Sequence, residues 1–253
     1  MKIAFVQYNP EWESKETNRD KLDQLLEKNQ DNYSLIIFPE MTLTGFTMDS
    51  SQFSEGEDGE TCRYFRNMAQ KYDSDIIAGF IENDMGKIYN TLIHLDKNGI
   101  LVNKYRKIHP FSYSGEDVNY CRGDKPVVTR VENMNIGLSV CYDLRFPELF
   151  RHYAKARAEL IVVIANWPVK RIEHWKTLLR ARAIENQCYV VGVNRVGNDP
   201  GNQYNGFSSL ISPMGEEIVS AMDKETVLKA DISADFVNEV RAKLPFLKDM
   251  TLL

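Results

Sequence analysis

Short, β-branched apolar runs alternate with amphipathic segments along this chain of 253 residues. Runs such as LIIF, ELIVVIAN and YVVGVNRV are too short for buried helices and are rich in residues that favour strands. Between them lie segments of helical period, such as 16–30, whose leucines at 22, 25 and 26 share one face. The alternation predicts an α/β fold with mixed sheets, partly parallel and partly antiparallel.

The same pattern places the individual elements, and Asn98-Gly99 marks a tight hairpin turn. Strands are predicted at 2–8, 35–38, 75–81, 88–96, 100–107, 135–140, 159–166, 189–196, 207–212, 216–221 and 227–232. Helices are predicted at 16–30, 60–72, 146–158, 171–187 and 234–244. Residues 107–126 and 198–206 have no sustained period and are predicted to be irregular. Because no linker or low-complexity segment separates the elements, we expect a single domain over 1–253.

Charge and cysteine usage narrow the class of protein. The net charge is −5, and the lysines and arginines are scattered, which argues against nucleic acid as the main partner. No apolar stretch approaches the roughly 18 residues of a membrane span. The four cysteines, at 62, 121, 141 and 188, show no metal-ligand spacing. We therefore expect a cytoplasmic protein with reduced thiols and no membrane partner.

Polar residues just beyond the buried strands form the candidate site, because ligands bind beyond the carboxyl ends of strands in open α/β sheets. They include Glu40, Lys107, Cys141, Asn166 and Asn194. Cys141 lies between a strand and a helix, where a thiol can be exposed beside the next backbone N–H. A nearby ammonium would favour its thiolate, and a carboxylate could take its proton. The plainer alternative is a buried cysteine that acts as a small hydrophobe.

The residue types alone leave alternatives open. Glu40 could be a loop charge or a helix cap, and Lys107 could be a surface cation at the end of a strand. His109, in the irregular segment, could join Cys141 and Asp143 in a papain-like arrangement, although no local signature supports it. From the residue types alone, a catalytic role for Cys141 is therefore one hypothesis among several.

Three segments in order resemble the motifs of the nitrilase superfamily of carbon–nitrogen hydrolases. These segments are FPEMTLTGF at 38–46, KYRKIHPF at 104–111 and LSVCYDLRFPE at 138–148. Nearly the whole chain is covered, and ANWP, HWKTLLRARAIENQ and NRVG are similar to the omega-amidase branch. The resemblance implies a catalytic Glu40–Lys107–Cys141 triad, with Glu116 in GED as a second glutamate.

The resemblance also implies the fold and the reaction. We expect an α-β-β-α sandwich that forms a four-layer homodimer, with the helix at 171–187 in the interface. The expected substrate is a small-molecule amide, of the 2-oxoglutaramate type, whose terminal carboxamide is hydrolysed through a Cys141 thioester. No metal or organic cofactor is required. The candidate substrate-binding residues are Tyr142, whose N–H would receive the oxyanion, Arg145 and Asn166; for Arg145, an ion pair with Asp143 or Glu148 is an equal alternative.

Other activities are also compatible with these residues. Within the superfamily, a nitrilase or an N-carbamoyl amino acid amidase would use the same nucleophile. A thiol redox protein could use Cys141 without hydrolysis, although no resolving cysteine is beside it in the sequence. A catalytically idle binding protein is disfavoured, because an idle site has no reason to keep Glu40, Lys107, Cys141 and Glu116 together.

Overall fold

Two β-sheets face each other in this protein, and helices cover their outer sides. The structure is a computed structural model and describes residues 1–252. The strands of the described residues are β1 Lys2–Gln7, β2 Leu35–Ile37, β3 Asp75–Asp84, β4 Lys87–Leu95, β5 Leu101–Arg106, β6 Val128–Val131, β7 Met134–Val140, β8 Leu160–Ile164, β9 Tyr189–Val193, β10 Val196–Asn198, β11 Gln203–Ile211, β12 Glu217–Met222 and β13 Thr226–Asp231.

Helices connect and flank these strands. The α-helices are α1 Lys15–Glu27, α2 Ser50–Phe53, α3 Glu60–Tyr72, α4 Glu116–Asn119, α5 Pro147–Lys155, α6 Ile172–Asn186 and α7 Ala234–Lys243. Short 3₁₀ helices occupy Ser112–Ser114, Cys141–Arg145, Val169–Arg171 and Phe246–Asp249. The longer helices pack on the sheets, whereas the short ones lie in the loops that carry most of the polar candidate residues.

Both sheets are mixed. The first has the order β13–β1–β2–β3–β4–β5, and the second β10–β11–β9–β8–β7–β6 with β12 on β11. In the first sheet β1, β2 and β3 are parallel, and in the second β7, β8 and β9 are parallel. The parallel strands of each sheet end on the same side, so the residues that follow β2, β7 and β8 can meet.

The central core lies between the sheets, and the two-residue period of the strands divides each strand between two layers. Ile3 and Phe5 of β1 pack in the core that both sheets share. Ala4 and Val6 of the same strand face the other way and pack with residues of α1 and α3. Alternation of this kind requires apolar residues at every position, which explains why the strands are continuous apolar runs.

The predicted fold class is confirmed, as are most of the predicted elements. The Asn98-Gly99 turn joins the antiparallel strands β4 and β5, and Gly99 has φ +77°, a value that suits glycine. The prediction of an irregular 198–206 is wrong at both ends, because Val196–Asn198 and Gln203–Ile211 pair as β10 and β11. Such pairing depends on a partner strand, which local sequence does not specify.

Two further expectations concern surfaces. Helix α6 buries Trp175, Leu179 and Ala183 against the sheet and leaves Ile184 half exposed. Dimerisation through this helix stays a prediction. Among residues 1–252, no helix is both long and apolar enough to cross a membrane.

Candidate active site

Four polar side chains meet beyond the ends of the strands: Glu40, Lys107, Glu116 and Cys141. Glu40 follows β2, Lys107 follows β5 and Cys141 follows β7, while Glu116 begins α4. Glu40, Lys107 and Glu116 are almost completely buried, and Cys141 is partly buried. The fold therefore brings together the three residues of the predicted triad and the second glutamate.

Lys107 links the two carboxylates. Its Nζ lies 3.0 Å from Glu40 Oε1, and 3.0 and 2.8 Å from the two carboxylate oxygens of Glu116. Burial lowers the pKa of Lys107, but Glu116 and Glu40 raise it by more, so the net pKa is raised. The side chain is therefore an ammonium ion at neutral pH, with its hydrogens directed at both acids.

A buried asparagine holds the same two carboxylates. The Nδ2 of Asn90, in the middle of β4, donates to Glu40 Oε1 at 2.7 Å and to Glu116 Oε1 at 2.8 Å. The sequence analysis did not single out Asn90, because it does not follow a strand. Its signal was a polar residue inside the predicted strand IYNTLIHLD, where burial of an amide requires partners.

The second oxygen of Glu40 faces the loop after β8. The backbone N–H of Asn166 donates to Glu40 Oε2 at 2.8 Å, and Asn166 Nδ2 donates to the Glu40 backbone carbonyl at 2.8 Å. Asn166, predicted to bind substrate, also lines the cavity described below. It therefore joins the ends of the two sheets and orients the Glu40 carboxylate.

Cys141 has a backbone conformation that non-glycine residues seldom adopt, with φ +48°. It begins a 3₁₀ helix, whose first N–H groups, including that of Tyr142, have no acceptor within the helix. The turn is held by buried Asp143, which accepts from the Val140 N–H at 3.0 Å and the Tyr105 hydroxyl at 2.7 Å. The strained position is thus imposed by its surroundings, as is common at functional sites.

The charges around Cys141 raise the pKa of its thiol, whereas the sequence predicted that a neighbouring ammonium would lower it. Burial and Glu40 raise the pKa of the thiol, and Lys107 lowers it by less, so the pKa lies well above its usual value. A nearby ammonium was expected to favour the thiolate. Because two carboxylates accompany that ammonium, a third negative charge is unfavourable, and the resting residue is a thiol.

The papain-like alternative is only half assembled. His109 Nδ1 lies 2.8 Å from Asp143 Oδ1, and the His109 ring stacks on Phe146 at 3.9 Å between centroids. In residues 1–252, however, His109 makes no hydrogen bond to Cys141 and lines a separate cavity. His109 and Asp143 therefore support the turn that carries Cys141.

A cavity of about 140 Å³ opens in front of Cys141. Its lining comprises Phe46, Lys107, Phe111, Tyr113, Ser114, Cys141, Tyr142, Arg145, Asn166, Trp167, Pro168, Arg171, Asn202 and Tyr204. Three of these described residues are cationic and none is acidic. The cavity therefore suits a small molecule that carries negative charge and an apolar segment.

Arg145 lies in this cavity over two aromatic rings. Its guanidinium carbon is 4.8 Å from the ring centroid of Trp167 and 5.8 Å from that of Tyr142, and Nη1 is 3.2 Å from His174 Nδ1. In the described chain, Arg145 forms no ion pair with Asp143 or Glu148, so that alternative is wrong. A half-buried cation without an acidic partner remains available to a ligand carboxylate.

Comparison with known proteins places this geometry in context. A family model described as "Carbon-nitrogen hydrolase" matches residues 2–242. A 2-oxoglutaramate amidase of Bacillus subtilis is 30% identical over 98% of this chain and 96% of its own length. An omega-amidase of Escherichia coli K12, YafV, is 35% identical over 98% of this chain and 96% of its own length.

A solved structure is also similar over the full chain. It is a CN-hydrolase superfamily protein from Xanthomonas campestris with an arsenic adduct in its active site. The TM-score is 0.96 at 33% identity, covering 100% of this chain and 98% of that one. The likeness confirms the expected nitrilase-type arrangement of two mixed sheets with flanking helices.

Proposed function

This chain belongs to the carbon–nitrogen hydrolase family and is an amidase, and from that premise we propose that it hydrolyses the terminal carboxamide of a small carboxylic acid through a thioester on Cys141. One observation supports this most directly. Lys107 lies between the carboxylates of Glu40 and Glu116, and Lys107 and Cys141 line a cavity that contains two further cations. A nucleophile, a base and a cation are therefore available to one bound amide.

The proposed first step forms the bond between Cys141 Sγ and the amide carbon. Because the thiol has a raised pKa, its proton leaves as the bond forms, and Glu40 accepts it as the general base. The carbonyl becomes a tetrahedral oxyanion. The Lys107 ammonium and the Tyr142 backbone N–H are the proposed donors to that oxygen, each contributing about 2.7–4 kcal/mol by analogy with other oxyanion holes.

Collapse of this intermediate breaks the carbon–nitrogen bond. Glu40 returns the proton to the nitrogen, ammonia leaves, and the acyl group remains on Cys141 as a thioester. Water, activated by Glu40 or Glu116, then attacks the thioester carbon and releases the carboxylic acid and the thiol. Glu116 accepts two hydrogen bonds from Lys107, which suits it to keep the ammonium directed at the oxyanion.

The cavity supports the proposed substrate class. Its volume of about 140 Å³ is close to that of a cavity that holds benzene, roughly 150 Å³, so a compact amide fits. Arg145 supplies a planar guanidinium, without an acidic partner in residues 1–252, for the carboxylate at the other end of the substrate. The names of the relatives, 2-oxoglutaramate amidase and omega-amidase, describe substrates of this shape.

The alternatives are less well supported. A redox role requires an accessible thiolate of low pKa, whereas burial and Glu40 raise the pKa of Cys141. A nitrilase or an N-carbamoyl amino acid amidase would share the nucleophile. A neutral nitrile would leave the cationic residues of the cavity without a partner, whereas an N-carbamoyl amino acid carries a carboxylate and is distinguished by the assay below.

We expect ammonia release from 2-oxoglutaramate at a kcat/KM at least about 100-fold above that for an aliphatic nitrile, and above that for an N-carbamoyl amino acid, whose carboxylate can also pair with Arg145, by a smaller factor. The reason is that two hydrogen bonds between Arg145 and a carboxylate are worth about 100-fold. Steady-state ammonia assays on the three substrates measure it, and intact-mass spectrometry identifies the acyl group on Cys141. Turnover of the nitrile alone would overturn the proposal.

Replacement of Arg145 tests the carboxylate subsite separately. We expect Arg145→Gln to raise KM for a carboxylate-bearing amide about 10- to 100-fold, since a charge-assisted bidentate pair is lost. For an uncharged amide such as butyramide, kcat/KM should stay within about twofold. Arg180→Gln, at an exposed position of α6, is the matched control. Equal effects on both substrates would show that Arg145 does not bind the carboxylate.

A further inference from the structure

Asn90 lies at the point where the strands meet the catalytic cluster. It directly precedes Thr91, which pairs with Arg106 at the end of β5, so Asn90 lies opposite Lys107. The Lys107 N–H donates to the Asn90 carbonyl at 2.9 Å. Asn90 is only 1% exposed. Its backbone therefore fixes the position of Lys107, and its side chain projects into the cluster.

The side-chain amide of Asn90 uses both of its hydrogens on catalytic carboxylates. Its acceptors, Glu40 Oε1 and Glu116 Oε1, are the same two oxygens that accept from Lys107 at 3.0 Å. One neutral and one charged donor thus bridge one pair of acids. The orientation of the amide is determined by these contacts, because the reverse orientation would set Oδ1 against both carboxylates.

The same residue leaves a polar atom without a partner. Asn90 Oδ1 is buried and has no hydrogen-bond partner among the described residues. An unsatisfied buried acceptor lowers stability, and an apolar residue at this position would avoid that penalty. The amide is therefore better explained by what its two hydrogens do for the acids than by a contribution to the core.

We propose that Asn90 is a positioning residue of the reaction: its amide holds the Glu40 and Glu116 carboxylates on the two sides of the Lys107 ammonium, in the orientation needed for proton transfer. This inference rests on the proposed function of Glu40 as general base. It assigns to Asn90 no contact with the substrate, since Asn90 is not part of the cavity lining.

Charge explains why such a residue is needed. Two buried acids share one ammonium, and Cys141 and Tyr120 also face the cluster. Burial raises the pKa of Glu116, and its hydrogen bonds from Asn90 and Lys107 lower it. Loss of the Asn90 donor therefore raises the pKa of Glu116, so the cluster takes up a proton at a higher pH. The acid limb of the activity profile must move in that direction.

The test compares Asn90→Ala with Asn90→Asp. We expect Asn90→Ala to lower kcat about 10- to 100-fold, to leave KM within about threefold, and to shift the acid limb of kcat/KM to higher pH. Asn90→Asp has nearly the same shape but replaces the donor with a third carboxylate, so its kcat should be lower still. A role in filling space predicts the opposite order, with Asn90→Asp better than Asn90→Ala.

A second readout does not depend on any substrate. The rate at which iodoacetamide alkylates Cys141, followed by mass spectrometry of its peptide, reports ionisation of the cluster as one coupled unit. We expect its pH profile to move to higher pH in Asn90→Ala. Asn103→Ala is the control and should match the unmodified protein. Asn103 is a partly buried residue of β5 outside the cluster, and its Nδ2 donates to Thr129 on β6 at 3.0 Å.

The outcomes separate the two proposals. An unchanged alkylation profile, or Asn90→Asp more active than Asn90→Ala, overturns the role of Asn90. If no amide is hydrolysed by the unmodified protein but the alkylation profile still moves in Asn90→Ala, the proposed function fails and the role of Asn90 in the cluster stands. Should Asn90→Asp fail to fold by thermal unfolding, the pH profiles of Asn90→Ala decide the question.

Discussion

Cys141→Ala should lower kcat for amide hydrolysis by about 10⁴-fold or more, because the sulfur that carries the proposed acyl intermediate is lost. Substrate binding should be retained, since the cations of the cavity remain. Ammonia release under single-turnover conditions measures the loss, and intact-mass spectrometry should show that the acyl adduct is absent. Retained ammonia release would exclude the thioester mechanism.

Controls for this prediction come from the other cysteines. Cys121 is exposed and Cys188 is buried away from the cluster. We expect Cys121→Ser and Cys188→Ala to keep kcat within about threefold, although the loss of a buried sulfur in the second lowers stability by about 1 kcal/mol. A general sensitivity of the protein to loss of any thiol would appear in these two variants as well.

The backbone of Cys141 adds a stability test to the same experiment. With φ +48°, a side chain at this position is strained, and glycine is not. Cys141→Gly should therefore be more stable than Cys141→Ala by about 1 kcal/mol, while both are inactive. Urea unfolding of the two variants measures the difference. Glycine relieves the backbone strain at this position, but it has no side chain that can act as a nucleophile.

Removal of the buried ammonium should have the second large effect. In Lys107→Met, Glu40 and Glu116 lose the cation that lies 3.0 and 2.8 Å from them. Breaking a buried pair in this way typically costs about 3–5 kcal/mol. Activity should fall below detection, because the oxyanion loses its charged donor and the two acids repel each other.

The loss in Lys107→Met should depend on pH in a defined direction. Lys107 lowers the pKa of Glu116, which burial raises, so its removal raises that pKa further. A carboxyl whose folded pKa is raised binds more protons in the folded than in the unfolded state, so the free energy of unfolding falls as pH rises. Urea unfolding at pH 5 and pH 8 should show the larger deficit at pH 8.

The matched control for this variant is an exposed lysine. Lys71→Met removes an ion pair with Glu27 on the surface, and surface pairs contribute little. Its free energy of unfolding should match that of the unmodified protein at both pH values. A deficit in Lys107→Met that is the same at pH 5 and pH 8 would show that the acids are not the source of the cost.

The sequence identified the residues proposed to react, but not the residues that surround them. Glu40, Lys107 and Cys141 each follow a predicted strand, so the rule that ligands bind beyond strand ends identified them, and the resemblance grouped them as a triad. Asn90 was not identified from the sequence, because it lies inside a strand. Its role follows only from the two carboxylates that its amide contacts in the folded protein. Arg145 was identified from the sequence, but whether it forms a salt bridge within the motif or faces the cavity was decided only by the positions of Asp143 and Trp167 in the structure.

The last strands illustrate the same limit. Their apolar runs at 207–212, 216–221 and 227–232 predicted strands correctly, but not the strands with which each would pair. The structure pairs β13 with β1 in the first sheet and β11 with β12 in the second. Strand identity is a property of local residues, whereas strand partners are chosen by the burial of faces across the whole chain.

The sequence by itself determined the class of fold, the order of its elements and the chemical types present at the strand ends. Only the tertiary structure decided the ionisation of those groups. Burial and the Glu40 carboxylate raise the pKa of the Cys141 thiol by more than Lys107 lowers it, so Cys141 stays a thiol, the reverse of what Lys107 alone would favour. The reason is physical: a pKa depends on every charge and on the loss of solvent within a few ångströms, and residues 40, 107, 116 and 141 come that close only in the folded chain.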